Sequence, residues 1–144
     1  MVLICDYSSG FIFPEMVKKR PVIVISRRKK NNMQLCTVVP LSATKPMNIE
    51  KYHHKLKDYS LPQSLRSKET WVKCDMIATV SLQRLDRVLA GKSETGKRLY
   101  VSHKISTQDL QAILTCIIHW LGLADLIKSI ALCNNYRVPE LSGL

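Results

Sequence analysis

Four polar residues lie at the ends of apolar, strand-like runs, which would hold their side chains firmly in place. Arg20 directly precedes the run that begins at Pro21, and a guanidinium anchored in this way is a good ligand for phosphate. Ser42 closes the run VVPLS, where its hydroxyl can donate to a phosphate oxygen. Lys73 and Asp75 alternate within WVKCDM, so an extended chain would direct both side chains to one side. This combination predicts a site that binds phosphate beside a carboxylate base.

The same residues also have plain structural interpretations, which the sequence leaves open. A basic run beside a strand is commonly a solvated face, a serine after a strand is commonly a turn residue, and a lysine–aspartate pair on a strand contributes little stability. The overall charge favours the functional interpretation, because 22 Lys and Arg residues against 11 Asp and Glu residues give a formal net charge of +11. Such a charge attracts polyanionic or acidic partners. Lys18, Lys19 and the RRKK run after the strand concentrate that charge around Arg20.

Two adjacent histidines are further titratable candidates. His53 and His54 would project to opposite faces of an extended segment, so they do not form a local metal pair. His54 is a candidate for proton transfer because histidine titrates near neutral pH, although a histidine in a polar loop is more often a bystander. The sequence contains no HExxH motif, no paired-carboxylate cage and no glycine-rich nucleotide motif. We therefore predict neither a metal nor another cofactor.

The cysteines and the first residues indicate the compartment. Five cysteines are spread widely along the chain and none forms a C-x-x-C pair, so neither a disulfide framework nor a zinc site is indicated. The start, MVLICDYSSGFIF, lacks the basic segment and long apolar stretch of a signal peptide. No uninterrupted apolar run reaches the roughly 18 residues that a membrane-spanning helix needs. We expect a cytoplasmic protein with reduced thiols and no membrane segment.

Apolar runs separated by turn residues dominate the first two thirds of the chain. They are rich in Val, Ile, Thr and aromatic residues and predict strands at Gly10 to Phe13, Pro21 to Ser26, Gln34 to Leu41 and Thr70 to Val80. The RRKKNN segment suits a hairpin turn, so the residues from Val22 to Ile25 and from Leu35 to Val39 are expected to pair as antiparallel neighbours. A long loop from Thr44 to Arg66 would contain a short strand at His53 to Leu56.

The last third changes from strands to helices. Ser81 to Asp86 predicts one helical turn, Arg87 to Ala90 a strand, GKSETGK a polar turn, and Leu99 to Ser102 another strand. Ser106 or Thr107 can cap a helix whose apolar residues recur at helical spacing up to Gly122. A second helical segment follows at 123–133, and the residues from 134 to 144 form a tail.

These elements predict one mainly β (α+β) domain over residues 1–144. Several short strands around one core, closed by C-terminal helices, describe a small, partly open barrel. The barrel would cover about 8–103 and the helical part about 106–133. Strands and helices do not alternate along the chain, which argues against dinucleotide-binding and P-loop folds.

Three segments, in this order, resemble the ordered blocks of the PemK/MazF family of toxins. They are KRPVIVIS at 19–26, TVVPLS at 37–42 and WVKCDMIATVSLQRL at 71–85. Asp75, Thr79 and Arg84 fall in register with the third block. The resemblance covers about residues 8 to 90 and continues through a following helix to about 120.

The resemblance implies a partly open barrel like an SH3 domain with an appended helix. It also implies a homodimer, metal-independent cleavage of single-stranded RNA such as mRNA, and a neutralising antitoxin. An acidic, disordered antitoxin segment is the expected protein partner, since a strongly basic groove would attract and order one.

Individual residues match the family pattern as follows. Arg20 matches the arginine before proline, Ser42 the hydroxyl residue that closes the second block, and Asp75 the acid of a basic-Cys-Asp triplet. Lys73 takes the basic place that is often arginine. Substrate contacts are expected from a second set of residues: Glu15, Lys19, Thr44, Tyr52 and Thr79.

The sequence departs from the family pattern at three places. Pro14 stands about where some members carry an acid–base histidine, although the neighbouring Glu15 fits the pattern. Met76 replaces a common glutamine, and Ala78 replaces an arginine that often precedes the threonine. These departures bear chiefly on substrate sequence preference.

Metal-free RNA cleavage requires a base for the 2′-hydroxyl, an acid for the leaving 5′-oxygen and positive charge at the phosphorus. We predict that Asp75 is the base, that Arg20 stabilises charge in the transition state and is also a candidate proton donor, and that Lys73 neutralises phosphate. Ser42 would orient a phosphate oxygen, and His54 would substitute for the missing histidine.

Two other functions fit the same sequence. One is a non-catalytic interaction module of this fold that acts on a protein target such as gyrase, which Met76, Ala78 and the missing histidine favour. The other is a basic RNA-binding protein without cleavage. Cleavage of single-stranded RNA by the purified protein distinguishes both from an endoribonuclease.

Overall fold

A computed structural model describes residues 1–26 and 34–135 of the chain, and their side chains as far as residue 132. Within that range, the strands are β1 (Val2–Cys5), β2 (Arg20–Val24), β3 (Leu35–Ser42), β4 (His53–Leu56), β5 (Thr70–Lys73), β6 (Ala78–Ser81), β7 (Leu85–Asp86), β8 (Val88–Lys92) and β9 (Arg98–Val101). The helices are α1 (Thr107–Trp120) and α2 (Ala124–Asn135). Short 3-10 turns occur at Asp58–Ser60, Gln63–Leu65, Cys74–Met76 and Leu82–Arg84.

Strand β3 is the centre of an antiparallel, seven-stranded sheet. Six of the strands follow the order β4-β5-β3-β2-β1-β7, and the seventh, β6, pairs with β3. One edge of β3 pairs with β2, while the other pairs with β6 over Leu35 to Val38 and with β5 over Leu41 and Ser42. Strands β8 and β9 form a separate two-stranded sheet. The main sheet is not closed into a barrel, which agrees with the predicted mainly β, partly open architecture followed by helices.

Alternate residues of the sheet face two different apolar clusters, as the two-residue period of a strand requires. On the helix face, α1 contributes three residues to a cluster with the sheet: Val2, Ile23, Val39, Leu41, Val72, Ile113, Cys116 and Ile117. On the loop face, the chain between β1 and β2 covers the other cluster: Cys5, Tyr7, Phe11, Met16, Val22, Val38 and Val80. Both faces of the sheet are therefore covered by a hydrophobic core.

Several predicted elements are confirmed. Strands β2 and β3 pair as antiparallel neighbours, with Val22 opposite Pro40 and Val24 opposite Val38. The short strand at His53 is present as β4, and the helical turn after Ser81 is present at Leu82–Arg84. The RRKKNN turn lies outside the described residues.

Two predicted strands differ from the structure, and two strands were missed. The segment from Gly10 to Phe13 forms turns because Gly10 has a φ of +77° and the Ile12 N–H donates to the Glu15 carboxylate at 2.6 Å. The run from Thr70 to Val80 is divided into β5 and β6 by a 3-10 turn.

The missed strands are β1 and β7. Strand β1 at Val2–Cys5 begins well before the predicted barrel start at residue 8, and β7 at Leu85–Asp86 replaces the end of the predicted helical turn. Helix α2 continues to Asn135 instead of ending at 133.

A buried carboxylate attaches the first turn of α1 to β4. Asp109 is 2% exposed, and its Oδ1 lies 2.7 Å from the Nε2 of His54. Its Oδ2 accepts hydrogen bonds from the hydroxyls of Ser60, at 2.5 Å, and Ser106, at 3.0 Å. Ser106 also caps the helix, since its Oγ accepts from the Asp109 N–H at 3.0 Å. This cluster fixes the start of α1 against the sheet.

The second helix carries apolar residues that are exposed within the described structure. Leu123, Leu126, Ile127 and Ile130 recur at helical spacing and are between 39% and 55% exposed. No single helix within the described ranges is long and apolar enough to cross a membrane. A bent pair, α1 with α2 as far as Leu132, meets that test of length and composition with an angle of 104° between its parts.

Asp109→Asn should destabilise the fold in a pH-dependent way. Burial raises the pKa of Asp109, but hydrogen bonds from Ser60, His54 and Ser106 outweigh it and leave the pKa below its usual value. The charged carboxylate therefore stabilises the fold above the unfolded-state pKa of about 3.9, and this contribution is lost as the pH falls through the folded-state pKa. We expect urea denaturation to show a loss of about 2–4 kcal/mol at pH 7 that narrows as the pH falls below about 4.

Asp58→Asn is the matched control, because Asp58 is exposed and lies close to the same network in sequence. Its free energy of unfolding should stay within about 0.5 kcal/mol of the wild type. Equal stability of Asp109→Asn and the wild type at pH 7 would contradict the role assigned to the network.

Candidate functional site

Asp75 lies in the 3-10 turn Cys74–Met76, between β5 and β6. The prediction that Lys73 and Asp75 point to one side of a strand is wrong, because extended geometry ends at Lys73 and the period of two ends with it. The Oδ1 of Asp75 is buried and has no hydrogen-bond partner among the described residues. Buried polar atoms are generally paired, so this oxygen is a candidate for contact with a ligand.

Arg20 begins β2 and lies opposite Cys5 of β1. Its Nε is also buried without a hydrogen-bond partner among the described residues. The β2–β3 register pairs Val22 with Pro40 and Val24 with Val38, so Arg20 and Ser42 lie two residues beyond the last pair on their strands. The Oγ of Ser42 accepts from the Thr44 N–H at 3.1 Å, which holds the hydroxyl at the end of β3. The two-residue period of a strand places the predicted guanidinium and hydroxyl on the loop face, the side of Val22 and Val38.

The strand register separates the two histidines. His53 is opposite Lys73, whereas His54 is opposite the buried Val72 and reaches Asp109 beneath α1. Facing residues in an antiparallel pair project from the same side of the sheet, so His53 shares a side with Lys73. The expectation that His54 faces the site is therefore wrong. The Nδ1 of His53 accepts from the Glu50 N–H at 3.1 Å, which leaves Nε2 to carry the proton of the neutral ring.

A cavity of about 430 Å³, here called the Asp75 cleft, opens beside the 3-10 turn of Asp75. It is lined by the chain before β2 and by the β5–β6 connection: Tyr7, Phe11, Pro14, Glu15, Met16, Asp75, Met76, Ile77 and Ala78. Two carboxylates, Glu15 and Asp75, are therefore set in a largely apolar wall. Arg20 and Ser42 are not among the lining residues.

The other predicted substrate contacts are distributed over the molecule. Lys19 pairs with Asp6 at 3.4 Å, and Thr44 is exposed beside Ser42. The ring of Tyr52 packs edge-on against Trp120, with centroids 5.0 Å apart. The hydroxyl of Thr79 lies 3.3 Å from that of Thr37 in the neighbouring strand.

Arg84 fixes the loop that covers the Asp75 cleft. Its Nη1 donates to the Asp6 carbonyl at 3.0 Å, and its guanidinium carbon lies 5.2 Å from the centre of the Phe11 ring. Gly10 lies beside this guanidinium, and its φ of +77° is the conformation that favours glycine there. In the sequence, Arg84 lies in the third family-like segment, at 71–85, but that segment does not indicate its role. Only the fold shows which loop Arg84 contacts.

No group of three or more His, Cys, Asp or Glu side chains in the described parts of the chain is arranged to hold a metal ion. A carboxylate, a guanidinium, a lysine and an imidazole at the loop-face end of the sheet suit proton transfer and phosphate binding.

Comparison with known proteins agrees with this arrangement. The model of the PemK-like, MazF-like toxins of type II toxin-antitoxin systems matches residues 1–121, and the chain belongs to this family. The uncharacterized protein YifN of Escherichia coli strain K12 is 35% identical over 89 residues. That match covers 56% of this chain and 56% of YifN, so the chain spans little more than half the length of this curated relative.

Solved structures show the same fold. The Mycobacterium tuberculosis toxin MazF-mt6 has a TM-score of 0.56 and 16% identity, covering 85% of this chain and 96% of that one. A mycobacterial endoribonuclease in complex with its cognate antitoxin has a TM-score of 0.55 and 19% identity, covering 85% and 91% of the two chains. At these identities the likeness establishes the fold alone.

Arg84→Gln should loosen the loop that forms one wall of the Asp75 cleft. The substitution removes the charged donor to the Asp6 carbonyl and the contact with the Phe11 ring. We expect the free energy of unfolding to fall by about 1–3 kcal/mol in chemical denaturation. Arg87→Gln is the matched control, because Arg87 is exposed, and its stability should change by less than about 0.5 kcal/mol. Equal effects of the two substitutions would contradict this role for Arg84.

Proposed function

We propose that this chain is the toxin component of a type II toxin-antitoxin system and cleaves single-stranded RNA, such as mRNA, without a metal. In the described residues, four buried side-chain polar atoms have no hydrogen-bond partner: the Tyr7 hydroxyl, Arg20 Nε, Trp71 Nε1 and Asp75 Oδ1. The observation that carries the proposal is that two of the four, those of Arg20 and Asp75, are at the family-matched positions. Leaving such an atom unpaired costs about 1–3 kcal/mol, so a ligand that pairs these two atoms is favoured. An RNA phosphodiester with its 2′-hydroxyl has the acceptor and the donor that these atoms require.

The proposed reaction is an internal transesterification. The Asp75 carboxylate accepts the 2′-hydroxyl proton, the 2′-oxygen bonds to phosphorus, and the bond from phosphorus to the 5′-oxygen breaks. The products are a 2′,3′-cyclic phosphate and a 5′-hydroxyl. Arg20 stabilises the charge that develops on the phosphate oxygens, since its guanidinium stays charged. It is a poor acid for the same reason, because its pKa exceeds about 12.

The remaining residues of the site assist in this proposal. Lys73 neutralises phosphate, and Ser42, held by the Thr44 N–H, orients a phosphate oxygen. His53 replaces His54 as the residue beside the 5′-oxygen, because His53 shares a side with Lys73. The Nε2–H of its neutral ring donates a hydrogen bond to the leaving 5′-oxygen, which takes its proton from solvent water. The predicted substrate contacts that lie nearest to this machinery in the fold are Glu15 in the Asp75 cleft and Thr44 beside Ser42.

An acidic antitoxin, a homodimer and a cytoplasmic location complete the proposal. The net charge of +11 suits an acidic partner segment, and the printed description of one structural neighbour names a cognate antitoxin in complex with that protein. The four cysteines whose side chains are described are free thiols, as a reducing compartment requires.

A non-catalytic module that binds a protein, such as gyrase, is the second candidate. The largely apolar wall of the Asp75 cleft favours it, because Phe11, Met16 and Met76 would suit an apolar side chain of a protein target. Absence of RNA cleavage, together with binding to a protein target that Met76→Lys abolishes, would support this function against the first.

Asp75→Asn and Arg20→Gln should each lower the rate of RNA cleavage by about a hundredfold or more, because they remove the base and the fixed positive charge. The assay follows a single-stranded oligonucleotide in EDTA and identifies the product ends. Asp58→Asn, which alters an exposed carboxylate, should cleave at the wild-type rate. Full activity of Arg20→Gln, or a requirement for a divalent metal, would contradict the mechanism.

The two histidine variants should behave differently. His53→Ala removes the Nε2–H donor, so it should lower kcat by about tenfold, the usual effect of losing one hydrogen bond. His54→Gln breaks the contact with Asp109 instead, so it should lower the free energy of unfolding while kcat stays at the wild-type value. A lowered kcat for His54→Gln with a normal one for His53→Ala would reverse this assignment.

A further inference from the structure

A second cavity, of about 470 Å³, lies beside the two-stranded β8–β9 sheet, and we call it the hairpin cleft. It shares no lining residue with the Asp75 cleft. Five basic residues line it, namely Lys19, Arg84, Arg87, Lys92 and Arg98. Two acidic residues also line it, but Asp6 pairs with Lys19 and the Asp86 carboxylate accepts from the Arg87 N–H at 2.7 Å. The cleft is therefore predominantly positive.

Two of these cations oppose each other directly. Lys92 of β8 is the register partner of Arg98 of β9, and like charges in this position repel. In the described parts of the chain, neither residue forms an ion pair with a carboxylate. The repulsion between Lys92 and Arg98 destabilises the hairpin when no anion is bound. An anion between the two side chains interacts favourably with both and removes this effect.

A β-bulge places an apolar pair on the same side as this cationic pair. Leu89 lies opposite Tyr100, Gly91 opposite Leu99, and Lys92 opposite Arg98, so the register shifts between Leu89 and Gly91. Arg98 and Tyr100 are two residues apart on β9, so their side chains project from the same side. Their partners on β8, Lys92 and Leu89, also share a side, because the bulge inserts one extra residue between them. Gly91 has a φ of +151°, which favours glycine at the bulge. Leu89 and Tyr100 are each 45% exposed.

We propose that the hairpin cleft binds a segment of single-stranded RNA away from the bond that is cleaved. Lys92 and Arg98 contact a phosphate, and a neighbouring base stacks on Tyr100. The choice of RNA as the polyanion rests on the proposed function. An exposed aromatic ring beside a cationic pair fits a nucleotide better than an acidic peptide, because a base has a flat face to stack and a carboxylate side chain has none.

The first test measures binding without cleavage. A fluorescent, fully 2′-O-methylated RNA strand has no 2′-hydroxyl to react, so its affinity can be measured by anisotropy at several salt concentrations. Lys92→Gln/Arg98→Gln should lower the slope of log K against log salt by about 0.7, since the two side chains contact one phosphate and each phosphate contact contributes about 0.7 for a single strand. The control Lys57→Gln/Lys104→Gln removes two exposed lysines that line neither cleft, and its slope should equal that of the wild type.

Two further variants separate folding and base stacking from charge. Arg98→Glu converts the repelling pair into an attractive one, so its Tm should equal or exceed that of the wild type while RNA binding falls. Tyr100→Leu keeps an apolar side chain but removes the ring, and it should weaken binding by about fivefold or more without changing the salt slope.

These outcomes are independent of cleavage. Because the methylated strand cannot be cleaved, the difference in salt slope between Lys92→Gln/Arg98→Gln and its lysine control holds whether or not Asp75 is the catalytic base, which separates this proposal from the catalytic one. Wild-type affinity and salt slope in Lys92→Gln/Arg98→Gln would overturn the proposal. A double variant that loses affinity for a polyglutamate peptide while keeping its affinity for RNA would also overturn it, and would assign the cleft to an acidic protein segment.

Discussion

The divided pairing of β3 is the constraint on which the rest of the structure depends. One edge of this strand pairs with β2, while the other edge changes from β6 to β5 along its length. The connection between β5 and β6 must turn where the partner changes, and the 3-10 turn at Cys74–Met76 occupies that point. Asp75 is placed by this turn, and Arg20 and Ser42 lie on the loop face at the first residue of β2 and the last residue of β3. A one-residue slip of β3 would move its residues to the wrong faces and dismantle the candidate site.

Two aspartates show how the same side chain can be used differently in one fold. Asp109 is buried with three side-chain hydrogen-bond partners, and it stabilises the junction between α1 and β4. Asp75 has a buried oxygen without a partner in the described structure, which costs stability. Proteins retain such a destabilising atom where it serves binding or catalysis. Networks in which every polar atom is hydrogen-bonded, such as that of Asp109, instead stabilise the fold. This difference in hydrogen bonding indicates that Asp109 stabilises the fold and that Asp75 is the candidate for a catalytic role.

Positive charge is present in two regions of the molecule. Arg20 and Lys73 belong to the candidate site, whereas Arg87, Lys92 and Arg98 line the hairpin cleft. Lys19 also lines the hairpin cleft and directly precedes Arg20, so the two regions are linked by the chain at the start of β2. The family match ends at residue 121, so the exposed apolar residues of α2 lie beyond the part of the chain that the family model covers.

Local patterns in the sequence determined most of the strands, the cap of α1 at Ser106 and the residue types of the candidate site. These features depend on side-chain periodicity, capping chemistry and charge, which act between near neighbours. The sequence alone could not show that Gly10 to Phe13 turns, because Glu15 and Arg84 satisfy and cover that segment only in the folded chain. It could not choose between His53 and His54, because the register of β4 on β5 decides which ring meets Asp109. Tertiary structure alone decided these points, since they depend on contacts between residues far apart in the chain.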